Sequence, residues 1–116
     1  MKFDEFEKII ITDIIEQYPE YKQKLQSQFE KIVVEKREFS TYGFSTYYVV
    51  TAGEDILGDS KNLQLGKRQW NINDLTRGSD YILWIKNGLI SCLEGFSYNE
   101  PWPDEILWCK KIESLK

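Results

Sequence analysis

The sequence predicts a single α+β domain over residues 1–116, with two N-terminal helices packed on a mostly antiparallel sheet of about five to six strands. Three observations carry that expectation. Apolar residues recur every three or four positions from Phe3 to Ile32, the period of a helix face. After Val33 the chain turns to runs rich in β-branched and aromatic residues. Asn87-Gly88 sits between two such runs, and both residues tolerate the positive φ that a two-residue hairpin turn demands.

The first helix is expected over residues 3–18, where Phe3, Phe6, Ile10, Ile14 and Tyr18 form a stripe widened by Ile9, Ile11 and Ile15. Asp4, Glu5 and Glu7 lie near its start, where the helix dipole favours negative charge. Pro19 ends or kinks it, having no amide hydrogen, and suits the first position of a second helix over 19–32. Tyr21, Leu25, Phe29 and Ile32 mark the buried side of that second helix. VVEKREF and FSTYYVV then read as an antiparallel hairpin turning at TYG, and AGEDILGDSKN as a polar loop. Leu63 to Ile72 supplies one or two further strands, and Asn73 to Gly78 a short turn or helical segment. YILWIK and LISCLEGF form the clearest hairpin. YILWI is apolar on both faces, as in a central strand covered on both sides, which places Trp84 in the core. DEILWCKKI is read as a last strand or irregular edge.

Ile, Leu, Val and Phe make up 33 of 116 residues, well above the roughly 20% below which disorder is expected. The chain contains no apolar run of about 18 residues or more, so no membrane span and no membrane partner are expected. The apolar stretch Ile9 to Ile15 follows acidic residues and contains Thr12 and Asp13, unlike a secretory signal. Cys92 and Cys109, the only cysteines, match no zinc or redox spacing and read as two buried thiols of a cytoplasmic protein. The net charge is −4, and the segment 87–109 holds Glu94, Glu100, Asp104 and Glu105 with no Lys or Arg. The rest of the chain balances, so the charge imbalance sits in one stretch around LEGFSYNEPWP. Such a stretch repels nucleic acid and attracts basic surfaces.

The absence of histidine removes the Ser-His-Asp and Cys-His arrangements and the commonest metal ligand. Gly66-Lys67 lacks the earlier glycine of a phosphate-binding loop, and the acids of GEDILGD do not follow calcium-loop spacing. No cofactor and no metal are expected. Glu94 with Glu100, or Glu100 with Asp104, are the carboxylate pairs left for acid/base work; an extended chain would hold the first pair roughly 20 Å apart, beyond glycosidase reach, unless Asn99 turns it. Glu94 interrupts an apolar strand and is expected to form a structural ion pair with Arg37, Arg77 being the alternative partner. Trp102, between Pro101 and Pro103, reads either as the anchor of a rigid turn or as a contact residue. Glu100, Asp104 and Glu105 read either as contacts or as a solvated rim.

The segments REFSTYGFSTYYVV and YILWIKNGLISCLEGFSYNEPWP resemble a family of small, uncharacterised bacterial proteins. Its members carry an Arg-Glu-x-Thr-Gly-x-Gly-Phe-x-Thr stretch and, after a hairpin, Leu-Glu-Gly-aromatic-x-Tyr-x-Glu-x-Trp-Pro. Ser40-Thr41-Tyr42-Gly43 departs from the first motif at its first glycine. Small acidic bacterial proteins of this kind recur as immunity proteins beside secreted toxins, including contact-dependent inhibition systems. The resemblance implies a non-enzymatic cytoplasmic immunity protein that neutralises a cognate toxin domain, with a basic nuclease the expected target. Tyr98, Glu100, Trp102, Asp104 and Glu105 would then form an acidic, aromatic contact surface, extended by GEDILGD if the fold brings the two together. The alternative is a small enzyme or ligand-binding domain with a cleft lined by Glu94, Tyr98 and Trp102, and a third reading is an aromatic homodimer face.

Overall fold

The computed structural model describes residues 1–51, 55–58 and 61–116. The chain runs α1 (Phe3–Glu16), α2 (Lys22–Phe29), β1 (Ile32–Ser40), β2 (Gly43–Val50), β3 (Leu63–Leu65), β4 (Trp70–Ile72), β5 (Ser79–Lys86), β6 (Leu89–Ser97) and β7 (Cys109–Lys111). It is an α+β arrangement. Among the described residues the sheet has seven strands, more than expected, in the order β1-β2-β6-β5-β4-β7, with β3 beside β4 on the same edge of β5. Every pairing is antiparallel. β3, β4 and β7 are each three residues long, β3 and β4 dividing the Leu63–Ile72 stretch and β7 lying in DEILWCKKI.

Helix α1 forms where its stripe predicts. Phe6, Ile10, Ile11, Ile14 and Ile15 are at most 2% exposed, and each contributes about 1.5–3 kcal/mol as an upper figure. The helix stops at Glu16 rather than Tyr18, because Pro19 already occupies a turn in which Tyr18 accepts the amide of Tyr21. Helix α2 is shorter than expected and Ile32 opens β1 instead of closing the helix. Ile32-Val33-Val34 is a β-branched run, stiff at χ1, and the Thr51 amide bonding the Lys31 carbonyl registers it as a strand.

Both hairpins form. In the β5–β6 turn Asn87 and Gly88 have φ of 52° and 79°, the two positive values a tight primed turn needs. In the β1–β2 hairpin, Gly43 passes so close to β6 that an added Cβ would lie 2.1 Å from the Gly95 carbonyl oxygen. Only glycine permits that approach.

Cross-strand rows decide which side chains share a face. Phe44, Thr46, Leu93, Tyr81, Leu83 and Ile85 point one way and are buried in a cluster with α1, α2, Trp102 and Ile106. Ser45, Tyr47, Glu94, Phe96, Ile82 and Trp84 point the other way and are only half-buried. The helices contact one face alone. This corrects two expectations: β5 is covered on one side, and Trp84 stands on the helix-free face rather than in the core.

Candidate functional site

The five residues expected to form one contact surface are dispersed. Trp102 is 7% exposed, with ring centroids 5.2 Å from Phe44 and 6.3 Å from Phe6. Its amide bonds the Thr41 carbonyl, which swings the Pro-Trp-Pro stretch onto the helix side of the sheet. It is a core residue, so no cleft lined jointly by Glu94, Tyr98 and Trp102 exists. The Glu100 carboxylate accepts the backbone amides of Thr76 (2.9 Å) and Arg77 (3.0 Å) and the Thr76 hydroxyl (3.0 Å). Those amides hold its carboxyl below the ordinary carboxylate value. Glu100 ties down the 74–78 turn. Asp104 and Glu105 are exposed beside Met1 and Phe3, where a shallow cleft of about 290 Å³ opens. Tyr98 is on the helix-free side, its ring 5.8 Å from Phe96 and its hydroxyl bonded to the Asp80 carboxylate.

The described part of GEDILGD, residues 55–58, does not extend a surface with these residues. Asp55 bonds Ser27 of α2 and Lys31 just beyond it, and Leu57 bonds Gly88, at the opposite end of β6 from Ser97. Eight residue steps of a strand separate those ends, about 26 Å. Gly53, Glu54 and Asp59 lie outside the described residues.

The expected Arg37–Glu94 pair does not form. Arg37 bonds Glu7 (2.6 and 3.2 Å) and Asp4 (2.5 Å) of α1, and Thr46 donates to the same Glu7 carboxylate. The cause is register. Val34 pairs with Tyr48 but Lys36 pairs with Tyr47, so Glu35 is an extra residue in β1. Without that bulge Arg37 would lie opposite Ser45, in the row of Glu94; with it, Arg37 faces the helices. Glu7, 3% exposed, is therefore a buried carboxylate whose partners come from β1 and β2. The neighbouring Tyr48 hydroxyl has no hydrogen-bond partner among the described residues, and burial, then the Glu7 charge, pushes its pKa far above the usual phenol value. A cleft of about 490 Å³ borders this group, with Ile11, Phe29, Ile32 and Val34 as apolar walls. The charges there answer one another and fasten α1 to the sheet.

The helix-free face is the remaining candidate. A second cleft of about 490 Å³ lies on it, with Tyr47, Trp84, Cys92 and Glu94 among its lining residues. Trp84 Nε1 donates to Glu94 at 3.4 Å, a long bond, and Glu94 makes no ion pair among the described residues. Cys92, the buried residue between Tyr47 and Trp84, is pushed up to about 11 by burial first and then by the charges of Glu94 and Glu38. Its thiol stays protonated near neutral pH. Val33 and Val49, paired across β1 and β2, continue the apolar surface toward the sheet edge, 52% and 44% exposed. At the other end Asp80, 3% exposed, is held by Tyr98, Gln69 and Lys116. Sequence reading missed Tyr47, Trp84, Val33 and Val49 as display residues; the one available signal was that YILWI is apolar on both faces while only two short helices exist to cover it.

Cys92 and Cys109 are both free thiols, the second only half-buried. Among the described residues no group of three or more His, Cys, Asp or Glu side chains is placed to hold a metal ion, and no helix is long and apolar enough to cross a membrane. The chain matches no protein-family model, no curated protein and no solved structure.

Proposed function

We propose that this protein is an immunity protein, a non-catalytic cytoplasmic module that binds and neutralises a toxin domain, and that it docks through the helix-free face of its sheet. The observation that carries the reading is the composition of that face. Half-buried aromatic residues, Tyr47, Trp84 and Phe96, surround a carboxylate, Glu94, that has no cationic partner among the described residues. Aromatic side chains bury large area at small rotamer cost and dominate protein interfaces. An uncovered apolar face on a small domain marks an interaction site. The net charge of −4 draws a basic partner such as a nuclease, whose own site must hold phosphate.

Co-expression with candidate toxin domains, nucleases first, tests the proposal on the one that this chain neutralises. Wild type and a variant carrying Asp104→Asn and Glu105→Gln should protect cells equally. Trp84→Ala and Tyr47→Ala should lose protection while remaining folded, with dissociation faster by about thirtyfold for an anchor of about 2 kcal/mol. Full protection by a folded double variant, Tyr47→Ala with Trp84→Ala, would overturn the docking face.

A further inference from the structure

We infer that the slot between Tyr47 and Trp84, closed at one end by Glu94, receives an arginine side chain of the partner. The inference rests on the docking reading above and adds the chemistry of the residue recognised. Tyr47, Cys92 and Trp84 form one cross-strand row over β2, β6 and β5. Two strand spacings, about 9.5 Å, separate the backbones that carry the two rings. The small side chain of Cys92, 8% exposed, is the floor between them. A flat group stacked between two rings needs about 7–8 Å, twice an ordinary carbon contact distance. With both rings upright on the sheet, backbones at that separation leave room for one planar group.

Glu94 follows Cys92 on the same face of β6, about 7 Å further along the strand. The cations near it are otherwise disposed. Lys36 pairs with Glu38 at 3.0 Å and lies over the Tyr47 ring from β1, the strand on the far side of Tyr47 from Trp84. Lys86 lines the opposite end of the cleft, four residues along β5 from Ile82, the cross-strand neighbour of Glu94. That is about 13 Å between backbones, and no ion pair joins Lys86 to Glu94 among the described residues. Glu94 is therefore left to a cation supplied from outside. Two aromatic walls and a carboxylate end-stop suit a guanidinium, which is planar, stacks on rings and pairs with carboxylates through two parallel N–H bonds. A lysine ammonium meets the carboxylate but leaves the flat walls unfilled.

The test titrates the full chain with Nα-acetyl-arginine amide, following the Trp84 indole N–H and the Cys92 and Glu94 amides by NMR. A saturable, millimolar response at those three positions is expected. Nα-acetyl-lysine amide should bind several-fold more weakly. Nα-acetyl-citrulline amide, planar like arginine but uncharged, should bind about tenfold more weakly or less well still. Glu94→Gln should reduce the arginine-amide affinity about tenfold with its melting temperature unchanged. No saturable shift at Trp84, or citrulline binding as tightly as arginine, would overturn the inference. The two readings fail separately. If the slot binds arginine amide but Trp84→Ala leaves toxin binding intact, the slot stands and the docking face falls. If arginine amide is ignored while Trp84→Ala abolishes toxin binding, the guanidinium assignment falls and the docking face stands.

Discussion

Replacing Trp102 by alanine tests whether the Pro-Trp-Pro stretch belongs to the core. The indole is 7% exposed and its ring centroid lies 5.2, 6.3 and 6.4 Å from those of Phe44, Phe6 and Tyr81. Truncating a buried Trp to Ala costs about 3–5 kcal/mol, of which each aromatic pair supplies about 0.5–1.5 kcal/mol. One effect works the other way. Trp102 Nε1 is buried without a hydrogen-bond partner among the described residues, and removing such a donor recovers about 1–3 kcal/mol. The expected net loss is therefore near the lower end, about 3 kcal/mol. For a domain of this size that lowers the melting temperature by about 12 °C. Trp102→Phe keeps a ring in the cluster and discards the orphan N–H, so its cost should be about 1 kcal/mol. Urea and thermal unfolding followed by circular dichroism measure both. A Trp102→Ala protein melting within 2 °C of wild type, a margin of about 0.5 kcal/mol, would refute the core placement. A Phe variant no better than the Ala variant would refute the account of the indole N–H.

Trp84→Ala should be the mirror image, costing about 1 kcal/mol or less in stability because its side chain is only half-buried, while removing toxin binding. Glu7→Gln should destabilise by about 3 kcal/mol, since it strips the charge from a carboxylate that holds Arg37 and Thr46 across the α1–sheet contact; urea unfolding would contradict this by showing no change in midpoint. Glu100 carries a folded pKa lowered from 4.5 by the Thr76 and Arg77 amides, so its contribution is complete above that value and is lost as pH falls through the lower folded one. The Thr76 amide resonance should accordingly titrate below pH 4.5, and Glu100→Gln should abolish that titration. Gly43→Ala should cost about 1–3 kcal/mol or block folding, because its Cβ would strike the Gly95 carbonyl.

Much of the fold was legible because its determinants are local. The isoleucine stripe of α1 and the Asn87-Gly88 turn each fix their element from a few neighbouring residues. The ends of the helices were less so, since Pro19 and the β-branched run after Lys31 could be read as belonging to either side of a boundary. The residues of the proposed docking face were hidden for a different reason. Face assignment depends on strand register, and a one-residue bulge at Glu35 sends Arg37 to the helices and away from Glu94. β5 is apolar at both Ile82/Trp84 and Tyr81/Leu83, so composition alone could not say which tryptophan is covered. Trp102 is buried by a long-range contact to Thr41 that no local pattern encodes. Charge accounting located the acids correctly along the chain, but the fold sends Glu94, Glu100 and the Asp104-Glu105 pair to three different places.

The helix-free face is the proposed docking surface. Hydroxyl-radical footprinting of the full chain, with and without a toxin domain that it neutralises in the co-expression test, measures side-chain access on every face at once. Tyr47, Trp84 and Tyr98 should be strongly protected in the complex, with Trp108, 46% exposed near β7, labelled as in the free protein. Protection confined to Trp108 and Leu107, with Tyr47 and Trp84 labelled undiminished, would contradict it.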